Sequence, residues 1–255
     1  MAEPLLSVES VSRQYGGVLA VDGVDLQVER GELLGVIGPN GAGKTTLFNL
    51  ISGFARPTTG RIRLRGRRID RLPAYRIARL GVCRTFQNLR LSPTLSVFDN
   101  VSAGAIGAVG FPAWRAVLPG AGTRRSRAIA DRSWAALERV DLAHRAKATA
   151  STLSYGQRKY LEIARALATE PELLILDEPA AGLNETETAA LAVFITSLNR
   201  GGTTVLLVEH DMGLVMGTCR RVVVLAAGRK IADGEPAAVR ADPAVQLAYL
   251  GADDA

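Results

Sequence analysis

The stretch Gly38-Pro39-Asn40-Gly41-Ala42-Gly43-Lys44-Thr45-Thr46 has the residue types and spacing needed to hold a polyphosphate. Its pattern is Gly, four open positions, then Gly-Lys-Thr. Glycines carry no side chain and accept positive φ, so the backbone can curl closely round a ligand. Successive N–H groups then form an anion nest, and the helix that follows adds its own N–H groups and positive dipole end. Lys44 supplies a cation for the β- and γ-phosphates, the Thr45 hydroxyl suits Mg2+, and Thr46 can add a hydroxyl contact. The expected ligand is a nucleoside triphosphate.

Two carboxylates follow a buried apolar run in Leu173-Leu174-Ile175-Leu176-Asp177-Glu178-Pro179. Asp177 suits Mg2+, which takes one or two carboxylates together with phosphates. Glu178 points elsewhere and can polarise an attacking water, since phosphoryl transfer needs mainly positioning and charge stabilisation. His210, in Val208-Glu209-His210-Asp211, stands at another strand end and reads either as a hydrogen-bonding contact to the γ-phosphate and the water or as a capping or structural histidine. Gln87, at the end of Val82-Cys83-Arg84-Thr85, could reach metal or water, although alone it carries little. Two readings fit Leu153-Ser154-Tyr155-Gly156-Gln157. Ser154 is a good N-cap. Its hydroxyl, the Gly156 N–H and the helix dipole could also form a second anion site, offered to another copy of the chain. Tyr15, before Gly16-Gly17, reads as a purine-stacking ring or as an ordinary turn tyrosine.

Strands and helices must bring these residues together. Glu32–Ile37 reads as a buried strand, and Leu47–Ile51 as a helix that Gly53 ends. Period-two alternation in Leu6–Glu9, Val24–Glu29 and Arg61–Arg65 predicts a small antiparallel sheet with one wet face. Further strands are expected at 82–85, 173–176, 203–208 and 222–225, and helices at 73–80, 185–199 and 211–218. A helix over 126–140 would bury Ile129, Trp134, Leu137 and Val140, and 102–122, rich in Gly, Ala and Pro, reads as irregular or loosely helical. Strands alternating with helices imply a mostly parallel sheet with ligands at the strands' carboxyl ends.

The chain has 255 residues and a formal charge of +6. That length allows one large α/β domain. Two cysteines, Cys83 and Cys219, form no disulfide framework and suit a reducing cytosol. Met1-Ala2-Glu3-Pro4 lacks a signal pattern, and no apolar run reaches the roughly 18 to 20 residues of a spanning helix. The arginines of Arg61–Arg68 and Arg124–Arg127 are not interleaved with aromatics, which argues for a solvated or membrane-proximal face and no nucleic-acid partner.

Taken together and in order, the loop at 38–46, Gln87, Leu153–Gln157, Leu176–Pro179 and His210 resemble an ATP-binding cassette (ABC) subunit over nearly the whole length. The resemblance implies a P-loop NTPase of α/β class, with a mostly parallel core sheet, an N-terminal antiparallel β subdomain and a helical subdomain. A single domain over 5–253 is expected, with the core and β parts at about 5–87 and 160–253 and the helical part at about 88–160. It implies a head-to-tail pair of cassettes enclosing two ATPs, each between one copy's 38–46 loop and the other's Ser154–Gln157. Tyr15 would stack on adenine, Glu178 would be the general base and His210 the switch residue.

A finer resemblance, to ATP-binding subunits of bacterial branched-chain amino acid importers, rests on Tyr15-Gly16-Gly17, Arg84–Leu91, Pro179–Asn184, Val208–Met212, the Gly/Ala-rich 103–125 and the end Asp242–Gly251. It implies two transmembrane permease subunits docking near Gln87–Leu95, a second cassette, identical or related, a solute-binding protein, and a place on the cytoplasmic face of the plasma membrane. Position 155 is Tyr where the broad family has Gly, which puts the backbone there in question, and Asn184 stands where Asp is usual. Cassettes for urea, amides or lipopolysaccharide export are similar as well, so the substrate stays open. A soluble, non-transport ATPase is the rival class, disfavoured because 46–154 holds no sustained heptad pattern.

Overall fold

The computed structural model describes residues 3–87, 89–109 and 121–250. The chain divides into two compact units, one of residues 1–80 with 175–255 and one of residues 81–174.

The first unit opens with an antiparallel sheet of β1 (Leu6–Tyr15), β2 (Val18–Val28), β4 (Thr59–Leu64) and β5 (Arg67–Arg68), in the order β2-β1-β4-β5. Leu6, Val8 and Val11 are all buried although the last spacing breaks the alternation. A bulge explains it: Ser10 takes φ 45°, its N–H donates to Asp25 Oδ1 at 2.7 Å, and the β1–β2 register shifts there. On β4, Ile62 and Leu64 face the core while Arg61 faces water. Arg63 is not simply solvated, because its Nε donates to Glu9 Oε1 at 2.9 Å.

The central sheet takes β3 (Leu33–Ile37), β6 (Val82–Arg84), β7 (Leu173–Asp177), β8 (Thr204–Val208), β9 (Arg221–Ala226) and β10 (Arg229–Gly234), in the order β10-β9-β3-β8-β7-β6. Every residue of β3, β7 and β8 is buried, which is the pattern of strands covered on both faces. β3 runs parallel to β8 and to β9, and β10 is antiparallel to β9. The alternation of strands and helices expected above is thus present. β10 and the helices α8 (Pro236–Ala241) and α9 (Pro243–Leu250) lie beyond the expected elements. Helices α1 (Lys44–Ile51), α2 (Ala74–Arg79), α6 (Glu185–Arg200) and α7 (Met212–Thr218) belong to the first unit, whereas the residues of β6 belong to the second. α7 packs so closely that a Cβ on Gly35 would lie 2.4 Å from Val215 Cγ1.

The second unit holds α3 (Val97–Ala108), α4 (Ala121–Arg139) and α5 (Tyr155–Leu167). α3 starts where Ser96 accepts from the Asp99 N–H at 3.0 Å. Residues 102–108 are regular helix, the helical alternative of the expectation for this segment; 110–120 lie outside the described residues. α4 begins before residue 126, and two of its expected core positions differ. Ile129 is only half-buried and Trp134 is 42% exposed, while Ser133 and Ala136 turn inward beside Leu137 and Val140. Ser133 can be buried because its hydroxyl donates to Ile129 O at 2.7 Å and lies 3.0 Å from Ser102 Oγ. Trp134 instead packs its indole on Phe98, with ring centroids 5.1 Å apart. Among the described residues no helix is long and apolar enough to cross a membrane.

Candidate functional site

The loop at 38–43 leaves β3 and enters α1 directly. Gly38, Gly41 and Gly43 take φ of 152°, 77° and 95°. A Cβ on Gly38 would meet Leu225 O at 2.1 Å, and one on Gly43 would meet Ala20 O at 2.3 Å, so these two positions need glycine on two counts. Asn40 and Gly41 are exposed, Pro39 is half-buried and Ala42 is buried. Lys44 opens α1, with Thr45 exposed and Thr46 half-buried in its first turn. The Lys44 ammonium folds back on the loop, donating to Gly38 O at 2.5 Å and Pro39 O at 3.1 Å. Burial pulls it below the usual lysine range, while Glu178 and Asp177 pull it back up. Both carboxylates therefore act on the same side chain as the loop.

The sheet register explains that convergence. Val36 of β3 lies opposite Val208 of β8. Glu178, just past β7, donates its N–H to Val208 O at 2.9 Å. The ends of β3, β7 and β8 thus deliver the loop, Asp177–Glu178 and Glu209–His210 to one edge, the edge where parallel sheets bind ligands. Asp177 is buried, and Glu178 is half-buried with φ 47°, an uncommon conformation for a non-glycine residue. The His210 imidazole is 59% exposed. Tyr15 ends β1 and is 44% exposed, with the Arg13 guanidinium 4.3 Å from its ring centroid on one face.

Gln87 and Ser154–Gln157 belong to the second unit. Gln87 is exposed. Ser154 caps α5 conventionally: its Oγ accepts from the Gln157 N–H at 3.2 Å, and the Gln157 side chain accepts from the Ser154 N–H at 3.1 Å. This satisfies the bland reading without excluding the sharper one, because the cap uses an oxygen lone pair and leaves the hydroxyl proton to donate. Tyr155, in place of glycine, does not disturb the start of α5. Its ring is 40% exposed, near the Arg158 and Lys159 cations. Asn184 caps α6 in a full capping box with Glu187.

Four further residues have no assigned role in the sequence reading. Glu209 is fully buried at the end of β8. Its only local signal is a carboxylate closing the apolar run Thr204–Val208. Glu162 of α5 is buried and receives the backbone N–H groups of Phe86 and Arg90, on either side of Gln87. Arg165 binds the Arg90 carbonyl from the same helix turn. Tyr249 of α9 buries its hydroxyl beside the Gly38 backbone, and burial pushes it up to about 12. The Glu162 and Tyr249 contacts join residues far apart in the chain, so no local pattern announces them.

With this geometry in hand, known proteins supply a second line. Residues 21–181 match the family described as ABC transporter, and residues 229–255 match that of branched-chain amino acid ATP-binding cassette transporters. The chain is 45% identical to the high-affinity branched-chain amino acid transport ATP-binding protein LivG of Salmonella typhimurium, over 98% of this chain and 99% of that one. It is equally identical, with the same coverage, to the BraF protein of Pseudomonas aeruginosa, which carries the same description. A solved ATP-binding cassette of an ABC transporter in its ADP conformation superposes with a TM-score of 0.85 at 29% identity, covering 98% of this chain and all of that one. A dimeric bacterial ABC transporter cassette superposes with a TM-score of 0.75 at 25% identity, covering 91% and 98%.

Proposed function

This chain belongs to the ABC transporter family of ATP-binding cassettes and is an ATPase, and on that premise we propose that it powers import of branched-chain amino acids. The observation that carries the chemistry is the convergence of Lys44, Asp177 and Glu178 where β3 and β7 end, with both carboxylates acting on the lysine ammonium. The substrate assignment is supported by the near-complete alignment with the LivG and BraF proteins and by the match over 229–255.

In this reading the loop Gly38–Thr46 holds the phosphates of ATP through its N–H groups and Lys44, and Tyr15 stacks on the base. The hard-oxygen donors Thr45 and Asp177, together with Gln87, fit Mg2+, which would neutralise phosphate charge when bound. Glu178 orients and deprotonates the attacking water, and His210 contacts the γ-phosphate and that water. Ser154, Tyr155, Gly156 and Gln157 serve the nucleotide of a second cassette, identical or related. The whole of 5–253 acts as one domain, with residues 88–160 as its helical part. Two transmembrane permease subunits dock near Gln87–Leu95, where Leu95 is 43% exposed, and hold the chain on the cytoplasmic face of the membrane. A solute-binding protein delivers substrate to the permeases on the other side.

The test is Glu178→Gln. Loss of a general base costs about 10² to 10⁴ in rate, so ATP turnover should fall at least a hundredfold while ATP binding persists and a cassette pair accumulates with ATP. Capture of that variant from its native membrane should bring down two membrane subunits. Undiminished turnover would remove Glu178 from the reaction, and capture without membrane proteins would remove the transport role.

A further inference from the structure

We propose that Glu209 is a positioning residue that couples the loop after Glu178 to the imidazole of His210, so that the base and the imidazole that meets the attacking water are set together. This rests on the catalytic reading of Glu178 and His210 given above.

The two oxygens of this carboxylate do different things. Oε1 accepts the Ala180 N–H at 2.8 Å. Ala180 lies in the turn that Ala181 closes by donating to Glu178 O at 3.2 Å. Glu209 therefore pins the backbone that carries Glu178. Oε2 is buried and accepts no hydrogen bond, and it lies 3.8 Å from His210 Nδ1. That separation is too long for a hydrogen bond; closing it requires the exposed His210 ring to turn toward the carboxylate. A buried carboxylate oxygen without a partner is costly, and the neighbouring N–H is the donor that would relieve it.

Any acceptor of the right length could satisfy Ala180. Only a carboxylate offers a second acceptor oxygen to Nδ1. An acceptor there keeps the proton on Nδ1 and leaves Nε2 as an acceptor for the attacking water, as outer-shell carboxylates do for other working histidines. The charged groups that act on Glu209 are Glu178 and His210, of opposite effect. Burial pushes the carboxyl above the usual range, the Ala180 N–H and His210 oppose this, and Glu178 adds to it.

The experiment compares Glu209→Gln and Glu209→Ala in the full chain by nitrogen-15 NMR of the imidazoles and by steady-state ATPase kinetics. The chain has two histidines, so His144→Gln assigns the His210 signal. Glu209→Gln keeps an acceptor for Ala180 and should melt near wild type. It should nevertheless shift His210 away from the Nδ1–H tautomer and lower kcat about tenfold, with KM for ATP within about twofold. Glu209→Ala should show the same tautomer change plus a lower melting temperature. In a His210→Ala background, Glu209→Gln should add little further loss. An unchanged His210 tautomer in both variants would overturn the coupling, as would wild-type kcat in Glu209→Gln. The tautomer readout does not depend on His210 being catalytic. A tautomer change with no effect of His210→Ala on turnover would count against the assigned role of His210 and leave the Glu209 contact standing.

Discussion

Gly43→Ala tests how closely the phosphate loop is held by its surroundings, and Gly41→Ala is its internal control. Both glycines have positive φ, 95° and 77°. Alanine at either position pays the left-handed penalty of about 1–2 kcal/mol. The surroundings differ: a Cβ on Gly43 would sit 2.3 Å from the carbonyl oxygen of Ala20 and near Gly228, whereas one on Gly41 meets nothing within 4 Å. Backbone atoms cannot rotate away as a flexible side chain can, so Gly43→Ala adds an overpacking cost of about 1–3 kcal/mol. The expected loss is then about 2–5 kcal/mol for Gly43→Ala against about 1–2 kcal/mol for Gly41→Ala. At roughly 2–4 °C per kcal/mol for a domain of this size, Gly43→Ala should melt several degrees below Gly41→Ala without nucleotide. Calorimetry of both variants without nucleotide reads this directly. Titration with a fluorescent ATP analogue should show Gly43→Ala at least about tenfold weaker than wild type, because its loop amides must move. Equal melting temperatures for the two variants would refute the claim that Ala20 constrains the loop.

Asn184→Ala removes the side-chain oxygen that accepts the Glu187 N–H at the start of α6 and should cost about 1 kcal/mol, seen as a fall of about 2–4 °C in melting temperature. Glu162 is pushed above its ordinary 4.5 chiefly by burial, against the pull of Arg165. The folded state therefore holds its proton more tightly than the unfolded state, and the wild type loses stability as pH rises through this window. Glu162→Gln should gain stability relative to wild type as pH rises above 4.5, and parallel denaturation curves at each pH would contradict this. Cys219 is 6% exposed and burial pushes its thiol up to about 12, so a thiol reagent at pH 8 should leave it unlabelled until the protein is denatured.

The amino-acid sequence alone determined the parts whose cause is local. The Gly-x4-Gly-Lys-Thr run sets its own loop and helix start through glycine torsions and helix N–H groups. The short apolar runs at 33–37, 173–176 and 205–208 read as strands buried on both faces. Ser96, Ser154 and Asp211 announce the helices they cap. Parallel pairing of such strands then puts Asp177, Glu178 and His210 at one edge.

The tertiary structure decided what depends on distant neighbours. Periodicity put Trp134 in the core, but the bulk of its indole is met by Phe98 at the surface, and the small, hydrogen-bonded Ser133 takes the inner position. Alternation in β1 fails at Ser10 because Asp25, on the next strand, stabilises a bulge there. The arginines of 61–68 look alike in sequence, yet Arg63 pairs with Glu9 and Arg68 with the buried Asp70. Glu209 and Glu162 look like unremarkable polar positions until folding buries them beside backbone N–H groups from other segments. Burial removes the water that would otherwise satisfy a carboxylate, so its partner must come from another part of the chain, and packing chooses which part.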